Sequence, residues 1–451
     1  MTDREPLVAE LRRLAEAGEL EQFSRVAQDA HPSDLADVIA GLDEPLRLQL
    51  VETLPPEIVS EALAEMDEDE HPEELLAAVE PEIAADIVEE LDDDDAADLI
   101  SELSVEAATR ILSEVEHEDR ATIERLLPYD EESAGGLMTG AVVAVPEHVT
   151  AAEAIAEIRR QASAVEEFYQ VYCVDQHNRL VGLLPLQRVV VARPDAPVRS
   201  LMEPAQVTAA PELDQEDVAR LMARYNVPAI PVVDGSGTLL GRVTFDDVID
   251  VVEAEQTEDL LKFGGGSADE LLGGQWHQAV RYRLPWLYLN LLTALLAASV
   301  VLLFEETISQ LVVLAAVMPV VAGLGGSAGT QALAVTVRRL ALGTIPAGTG
   351  LGLVGKEMLV GFINGLAIGT AVGVVTIITG RGWQLGAVVM LAMWGSLMVA
   401  ATVGAAVPLL LERLGVDPAV ASSGFVTAVT DIAGFFLLLG LAAWLLLPGL
   451  A

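Results

Sequence analysis

The sequence predicts a multidomain membrane protein: an all-α N-terminal superhelical domain, a tandem pair of α/β units, an acidic linking helix and an α-helical membrane domain with five transmembrane helices. Three observations predict it. Charge is split, with 63 Asp and Glu against 18 Lys and Arg in residues 1–270, but 6 against 7 in residues 271–451. Five apolar runs, each about 20 residues long and able to cross a hydrocarbon core as helix, fill the second part. Two internal repeats of different period fill the first, and 451 residues exceed the usual size of one domain. The expected limits are 1–130 for the helical domain, 131–252 for the tandem pair, 253–280 for the linking helix and connector, and 281–451 for the membrane domain.

Residues 1 to about 128 show apolar residues at three and four spacing, with Pro at helix starts, which reads as short amphipathic helices. Leu54-Pro-Pro-Glu-Ile, Val79-Glu-Pro-Glu-Ile and Leu103-Ser-Val-Glu-Ala recur 25 and 24 residues apart. A repeat of that period predicts stacked helices, each burying its apolar face on the next.

From about Gly135 the periodicity becomes mixed. Leu137-Met138 followed by Val142-Val-Ala-Val returns as Leu201-Met202 and Val207-Thr-Ala-Ala. Val171-Tyr-Cys-Val-Asp175 with Leu180-Val-Gly182 returns as Ile230-Pro-Val-Val-Asp234 with Leu240-Gly241. Each copy reads strand, helix, strand, turn, strand, helix. The tandem resembles a pair of cystathionine-β-synthase (CBS) domains, modules that bind adenine nucleotides or act as regulatory hinges. Gly241-Arg-Val-Thr244-Phe-Asp-Asp247 matches that family's Gly-x-x-Thr-x-x-Asp ribose pattern, so the resemblance implies an ATP site on Thr244 and Asp247. In the first copy, Gly182-Leu-Leu-Pro185-Leu-Gln-Arg188 lacks both polar groups.

Residues 246–263 continue as a helix rich in acids, and Gly264-Gly-Gly266 ends it. At helical spacing Asp247, Asp250 and Glu258 share much of one side. The apolar runs then span about Leu284–Phe304, Leu311–Val337, Met358–Thr379, Leu385–Leu411 and Phe425–Leu447. With the N-terminus inside, Arg281, Arg283, Arg338, Arg339, Lys356 and Arg413 fall on the cytoplasmic side and only Arg381 on the other, as the positive-inside rule asks. The expected placement is a multi-pass cell (inner) membrane protein with cytoplasmic N-terminal domains and its C-terminus outside. Gly361, Gly365, Gly369 and Gly373 form a stripe that reports close helix packing. The run Gly323-Leu-Gly-Gly-Ser-Ala-Gly329 after Pro319 predicts a bent or partly unwound stretch, which is tolerated only where it is shielded or lines a wet cavity.

Of the six acids after residue 271, five fall at or near span ends and Asp431 does not. A lone carboxylate there costs about 2.5 to 3.5 kcal/mol on insertion scales, so it should face a cavity or a partner. No basic residue occupies a span interior to pair with it, which points to a mobile cation. A symmetric dimer would bring two such acids to one axis. Mg²⁺ keeps most of its hydration shell and is held by one or two carboxylates, which suits a site this sparse, while the residues alone leave Ca²⁺ and Mn²⁺ open.

Composition excludes other classes. A net charge of −44 opposes binding to nucleic acid or anionic lipid. With only two lysines, the acidity also fits a surface adapted to high salt. Cys173 stands alone, so no disulfide framework is expected. Met1 to Ala30 shows no signal-peptide core. A single intramembrane carboxylate does not make an aspartyl protease, so no enzyme is expected. A coupled carrier exchanging Mg²⁺, Mn²⁺ or Ca²⁺ for Na⁺ or H⁺ is the alternative to a channel, although carriers often place more polar groups at mid-membrane depth.

Domain order together with Gly325-Gly-Ser-Ala-Gly-Thr-Gln331, Ala334-Val-Thr-Val-Arg338, Gly415-Val-Asp-Pro418 and Thr427-Ala-Val-Thr-Asp431-Ile-Ala-Gly434 resembles the MgtE family of magnesium channels over essentially the whole chain. The resemblance implies a homodimer in the lipid membrane, with Asp431 of each subunit holding hydrated Mg²⁺ in the pore. It also implies cytosolic Mg²⁺ ligands that keep the pore closed: Glu61, Asp94, Asp98, Asp214, Glu216, Asp247, Asp250, Glu255, Glu258 and Asp259. Ser327, Gly424 and Asn226 depart from the family pattern, where Asn, Pro and an acid are usual.

Overall fold

The computed structural model describes residues 4–66, 70–162, 165, 168–266, 276–345, 349–418 and 423–447. Contacts divide the chain into two units, 1–254 and 255–451.

The first unit opens with helices α1 (Arg4–Glu16), α2 (Leu20–Ala27), α3 (Pro32–Ala40), α4 (Glu44–Thr53), α5 (Pro56–Ala64), α6 (Pro72–Ala78), α7 (Pro81–Glu89), α8 (Asp93–Glu102), α9 (Val105–Glu114) and α10 (His117–Leu126). Pro occupies the first turn of α3 through α7, where its missing N–H has no partner to lose. The three repeated segments become α5, α7 and α9. Helices two apart pack together, α5 on α7 and α7 on α9 in one layer, α4 on α6, α6 on α8 and α8 on α10 in the other. That is a stacked superhelix, with Val59, Leu63, Ile87 and Ile100 in its core.

In the first α/β copy, β1 (Ala144–Pro146) pairs parallel with β2 (Val171–Val174), which pairs antiparallel with β3 (Leu180–Leu184). Helices α11 (Ala151–Gln161) and α12 (Leu186–Val191) complete it. Thr150 caps α11 in a reciprocal capping box with Glu153. The second copy holds α13 (Gln215–Tyr225) and the antiparallel pair β4 (Ala229–Val233) and β5 (Leu239–Thr244). Its expected first strand shrinks to an isolated parallel bridge, Ala209 to Val232. Pro204 and Pro211 flank that segment and withhold two ladder donors. Residues of α8, α10, α13, β4 and β5 share one core, so the helical domain and the second copy are packed as one body.

Helix α14 (Phe245–Gly264) runs through the division between the units. Among the described residues of the second unit, five helices are long and apolar enough to cross a membrane: Trp276–Leu303, Val313–Ala341, Gly350–Thr376, Trp383–Arg413 and Ser423–Leu446. These are the first to fifth spans below. The third span lies against the fourth along the glycine stripe: a Cβ on Gly361, Gly365, Gly369 or Gly373 would stand 2.7 or 2.8 Å from a backbone oxygen of the fourth. The second, fourth and fifth spans pack on one another, and the first packs on the fifth.

The stretch Gly323–Gly329 corrects an expectation. It is not unwound but part of one continuous helix, Val313–Ala341, which also carries Pro319. Its glycines serve close approach: a Cβ on Gly329 would meet Val426 of the fifth span at 2.8 Å, and one on Gly326 would meet Thr427 at 3.3 Å. Glu357 differs too. Because the third span begins at Gly350, this acid lies about two turns inside it, buried, 3.5 Å from the Lys356 ammonium.

Candidate cation sites

Asp431 sits in the fifth span one residue after Thr430, whose hydroxyl donates to the Thr427 carbonyl at 2.8 Å. That bond removes Thr430 as a donor to the carboxylate. Asp431 is half-buried, and its Oδ1 is shielded without any hydrogen-bond partner among the described residues. The Ser396 hydroxyl of the fourth span is likewise buried and unpartnered. It lies against both the second and the fifth span, 3.2 Å from a Cβ on Gly325 and 3.0 Å from one on Gly434. A shielded carboxylate oxygen with no fixed donor is the arrangement a passing cation, or its hydration water, can satisfy. Ser327 spends its hydroxyl on the Gly323 carbonyl at 2.8 Å. A Cβ on Gly424 would stand 2.5 Å from Asn290 Oδ1, so a larger residue there requires that side chain to move.

The second site is a crowd of carboxylates in the first unit. Helix α8 begins Asp93-Asp94-Asp95 after the N-cap Asp92, and it abuts the Thr244–Asp247 turn at the start of α14. Asp94 is 8 % exposed, and its Oδ1 has no partner among the described residues. Burial, then Asp95, Asp247 and Asp92, push its carboxyl well above the usual range. Burial, then Asp247, Asp92, Asp98 and Glu65, push Asp95 up to about 8. Asp247 is raised as well, chiefly by burial, although Thr244 donates to its Oδ2 from Oγ1 at 2.6 Å and from N at 3.2 Å. Asp93 is raised by burial and by Asp92, partly countered by Arg125. Each of these groups resists ionisation first because burial removes it from water and then because its neighbours are acidic too.

Among the described residues no three His, Cys, Asp or Glu side chains converge as an all-protein metal cage would need. The donor set nonetheless fits a hydrated Mg²⁺, which binds few carboxylates and works largely through its waters. The buried, unpartnered Asp94 Oδ1 is the observation that supports the fit.

The remaining expected residues are dispersed. Glu61 on α5 is exposed. Asp98 on α8 lines an acidic cavity of about 360 Å³ with Ser101, Asp130, Glu131 and Glu132. Asp214 caps α13, accepting from the Glu216 N–H at 3.0 Å, and Glu216 pairs with Arg220. Asp250 is exposed, while Glu255, Glu258 and Asp259 are half-buried along the second half of α14. Asn226 takes the left-handed conformation, φ 53°, at the C-cap of α13, a place that favours Asn over an acid. Thr244 is buried, and its hydroxyl is committed to Asp247. Sequence reasoning missed Asp92, Asp95 and Glu65. The unbroken acidic run Asp92–Asp95 was the available signal.

Residues 318–441 match the family model of a divalent cation transporter, residues 30–132 the MgtE intracellular N domain, and residues 198–254 the CBS domain. The chain is 34 % identical to the magnesium transporter MgtE of Thermus thermophilus, over 98 % of this chain and 99 % of that one. It is 36 % identical to the magnesium transporter MgtE of Enterococcus faecalis, over 94 % of each. Among solved structures, the cytosolic domain of the Mg²⁺ channel MgtE in complex with ATP is 36 % identical, covers 54 % of this chain and 99 % of that chain, and superposes with a TM-score of 0.51. The soluble part of a magnesium transporter is 31 % identical, with 56 % and 99 % coverage and the same TM-score of 0.51. With the domain order, the five apolar helices and near full-length identity in agreement, this chain belongs to the MgtE family of magnesium transporters.

Proposed function

We propose that the chain is a Mg²⁺-gated channel that imports Mg²⁺ across the cell membrane and closes when cytosolic Mg²⁺ is high. The single observation that carries the conducting half is Asp431, a shielded carboxylate oxygen inside an apolar helix with no fixed donor among the described residues. The ion enters down the membrane potential, worth about 2.3 kcal/mol per charge per 100 mV. At the pore Asp431 replaces part of the water structure lost on entry, and in a homodimer the partner subunit would supply a second carboxylate.

Closure follows from the acidic crowd. With Mg²⁺ bound, Asp94, Asp95 and Asp247 can ionise and stay packed; without it, their mutual repulsion weakens the packing of α8 against the second CBS copy. The regulatory ligands in this reading are Glu61, Asp94, Asp98, Asp214, Glu216, Asp247, Asp250, Glu255, Glu258 and Asp259, with Asp95 added. ATP at the second CBS copy, through Thr244 and Asp247, belongs to the same reading. So do the domain limits at 130, 252 and 280, the cytoplasmic N-terminal half and a C-terminus outside.

The test is Asp431→Ala in cells that lack other Mg²⁺ importers, with membrane abundance measured alongside. Mg²⁺-dependent growth and uptake should disappear at unchanged abundance. Undiminished uptake would remove Asp431 from the pathway.

A further inference from the structure

Lys262, one of two lysines in the chain, occupies the last turn of α14. Its ammonium meets two carboxylates at once. One is Glu258, a turn back on the same helix; the other is Asp417, at 2.9 Å, in the connection between the fourth and fifth spans. Next to it Phe263 packs against a cluster containing Leu333 and Val337 of the second span, Val407 and Leu411 of the fourth, and Val426 of the fifth. Gly265, at φ 78°, turns the chain directly afterwards beside Trp286 of the first span. The end of the linking helix is therefore seated on the second, fourth and fifth spans by one apolar anchor and one doubly paired cation.

Burial of the ammonium opposes its charge, and the two carboxylates more than offset that, so its proton is held more tightly than usual. Lys262 and Asp417 are 29 % and 40 % exposed at their side chains, so each pair is solvated and modest in strength. A divalent ion between Glu258 and Asp417 would do the same electrostatic work. Here an amino group of the chain itself already does it.

We propose that Lys262 is a built-in, metal-independent tether: its ammonium, shared by Glu258 and Asp417, holds the end of α14 on the cytoplasmic ends of the pore-forming spans and biases the channel towards closure before any Mg²⁺ binds. This rests on the reading that α14 regulates opening. It makes Lys262 a positioning residue and gives Glu258, one of the proposed regulatory ligands, an ammonium partner when no Mg²⁺ is bound.

The test uses the full chain in planar bilayers. Lys262→Gln and Asp417→Asn should each raise the Mg²⁺ concentration that half-closes the channel by about two- to fivefold, the scale of solvated ion pairs. Both should also raise conductance when Mg²⁺ is absent. Lys262→Arg should restore the wild-type value, and the double variant Lys262→Gln/Asp417→Asn should be no worse than either single one. Separate, multiplying effects of the two substitutions, or an unchanged half-closing concentration, would overturn the tether. An independent arm places Cys at both positions, bridged by a short reducible bis-methanethiosulfonate. The bridge should form at zero Mg²⁺ and lower the current until it is reduced. Failure of the bridge to form overturns the proposal even if Mg²⁺ gating is normal. If the wild type proves insensitive to Mg²⁺ while the bridge forms and lowers current, the regulatory reading fails and the tether stands.

Discussion

Consider what happens to protons when Mg²⁺ meets the acidic face of α8. In the packed, metal-free state Asp95 is pushed up to about 8, with Asp94 and Asp247 raised beside it. Freed from burial and from its neighbours, Asp95 returns to the ordinary carboxyl value near 3.8. Packing without metal therefore takes up protons. A carboxyl whose value is raised in the packed state favours packing at low pH and loses that contribution as pH rises towards the raised value. Counting Asp95 alone, moving from pH 6 to pH 7.5 should weaken metal-free packing about 20-fold, close to 2 kcal/mol at about 1.4 kcal/mol per decade. Mg²⁺ binding should run the process in reverse, with the cation displacing about one proton at pH 7 from Asp95 and further fractions from Asp94 and Asp247. Calorimetric titration of the full-length protein with Mg²⁺, in two buffers of different ionisation enthalpy, measures that release directly. Asp95→Asn should lower the count by about one proton and flatten the dependence of Mg²⁺ affinity on pH between 6 and 7.5. Identical heats in the two buffers, or a count unchanged in Asp95→Asn, would mean that these carboxylates are already ionised and that the acidity is general solvation, as for a high-salt surface.

Two packing predictions follow from the spans. Gly361→Ala places a methyl 2.7 Å from the Leu397 carbonyl oxygen, so the third and fourth spans must part. The cost should be about 1 to 3 kcal/mol, read as a lower unfolding temperature in detergent with uptake falling alongside. Ser396→Ala removes a buried hydroxyl that has no partner among the described residues. It should leave stability unchanged or raise it by about 1 kcal/mol. A clear loss of both stability and uptake would instead show that the hydroxyl is used, by water or by the ion.

What could be read from the residues, and what could not, divides along one physical line. Asp431 was legible because a carboxylate within an apolar run contradicts its surroundings, and the contradiction is local. The superhelix was legible because its repeat is local too, every unit offering the same face to the next. Asp95 was not, because one acid inside Asp92–Asp95 looks like its neighbours until the fold buries it against Asp247, more than a hundred residues away. Gly323–Gly329 was misread for the same reason. Glycine at membrane depth either releases the backbone or admits another helix, and the choice is made by Val426, Thr427 and Ser396, which arrive from other spans. The pairing of Lys262 with Asp417 spans 155 positions and leaves no trace in either neighbourhood. Each missed feature is a charge or a glycine whose energy is set by a distant partner. In a chain with so many acids, the ones that resist ionisation are those the fold buries and crowds together, and only their distant contacts distinguish them from the ones that merely keep it hydrated.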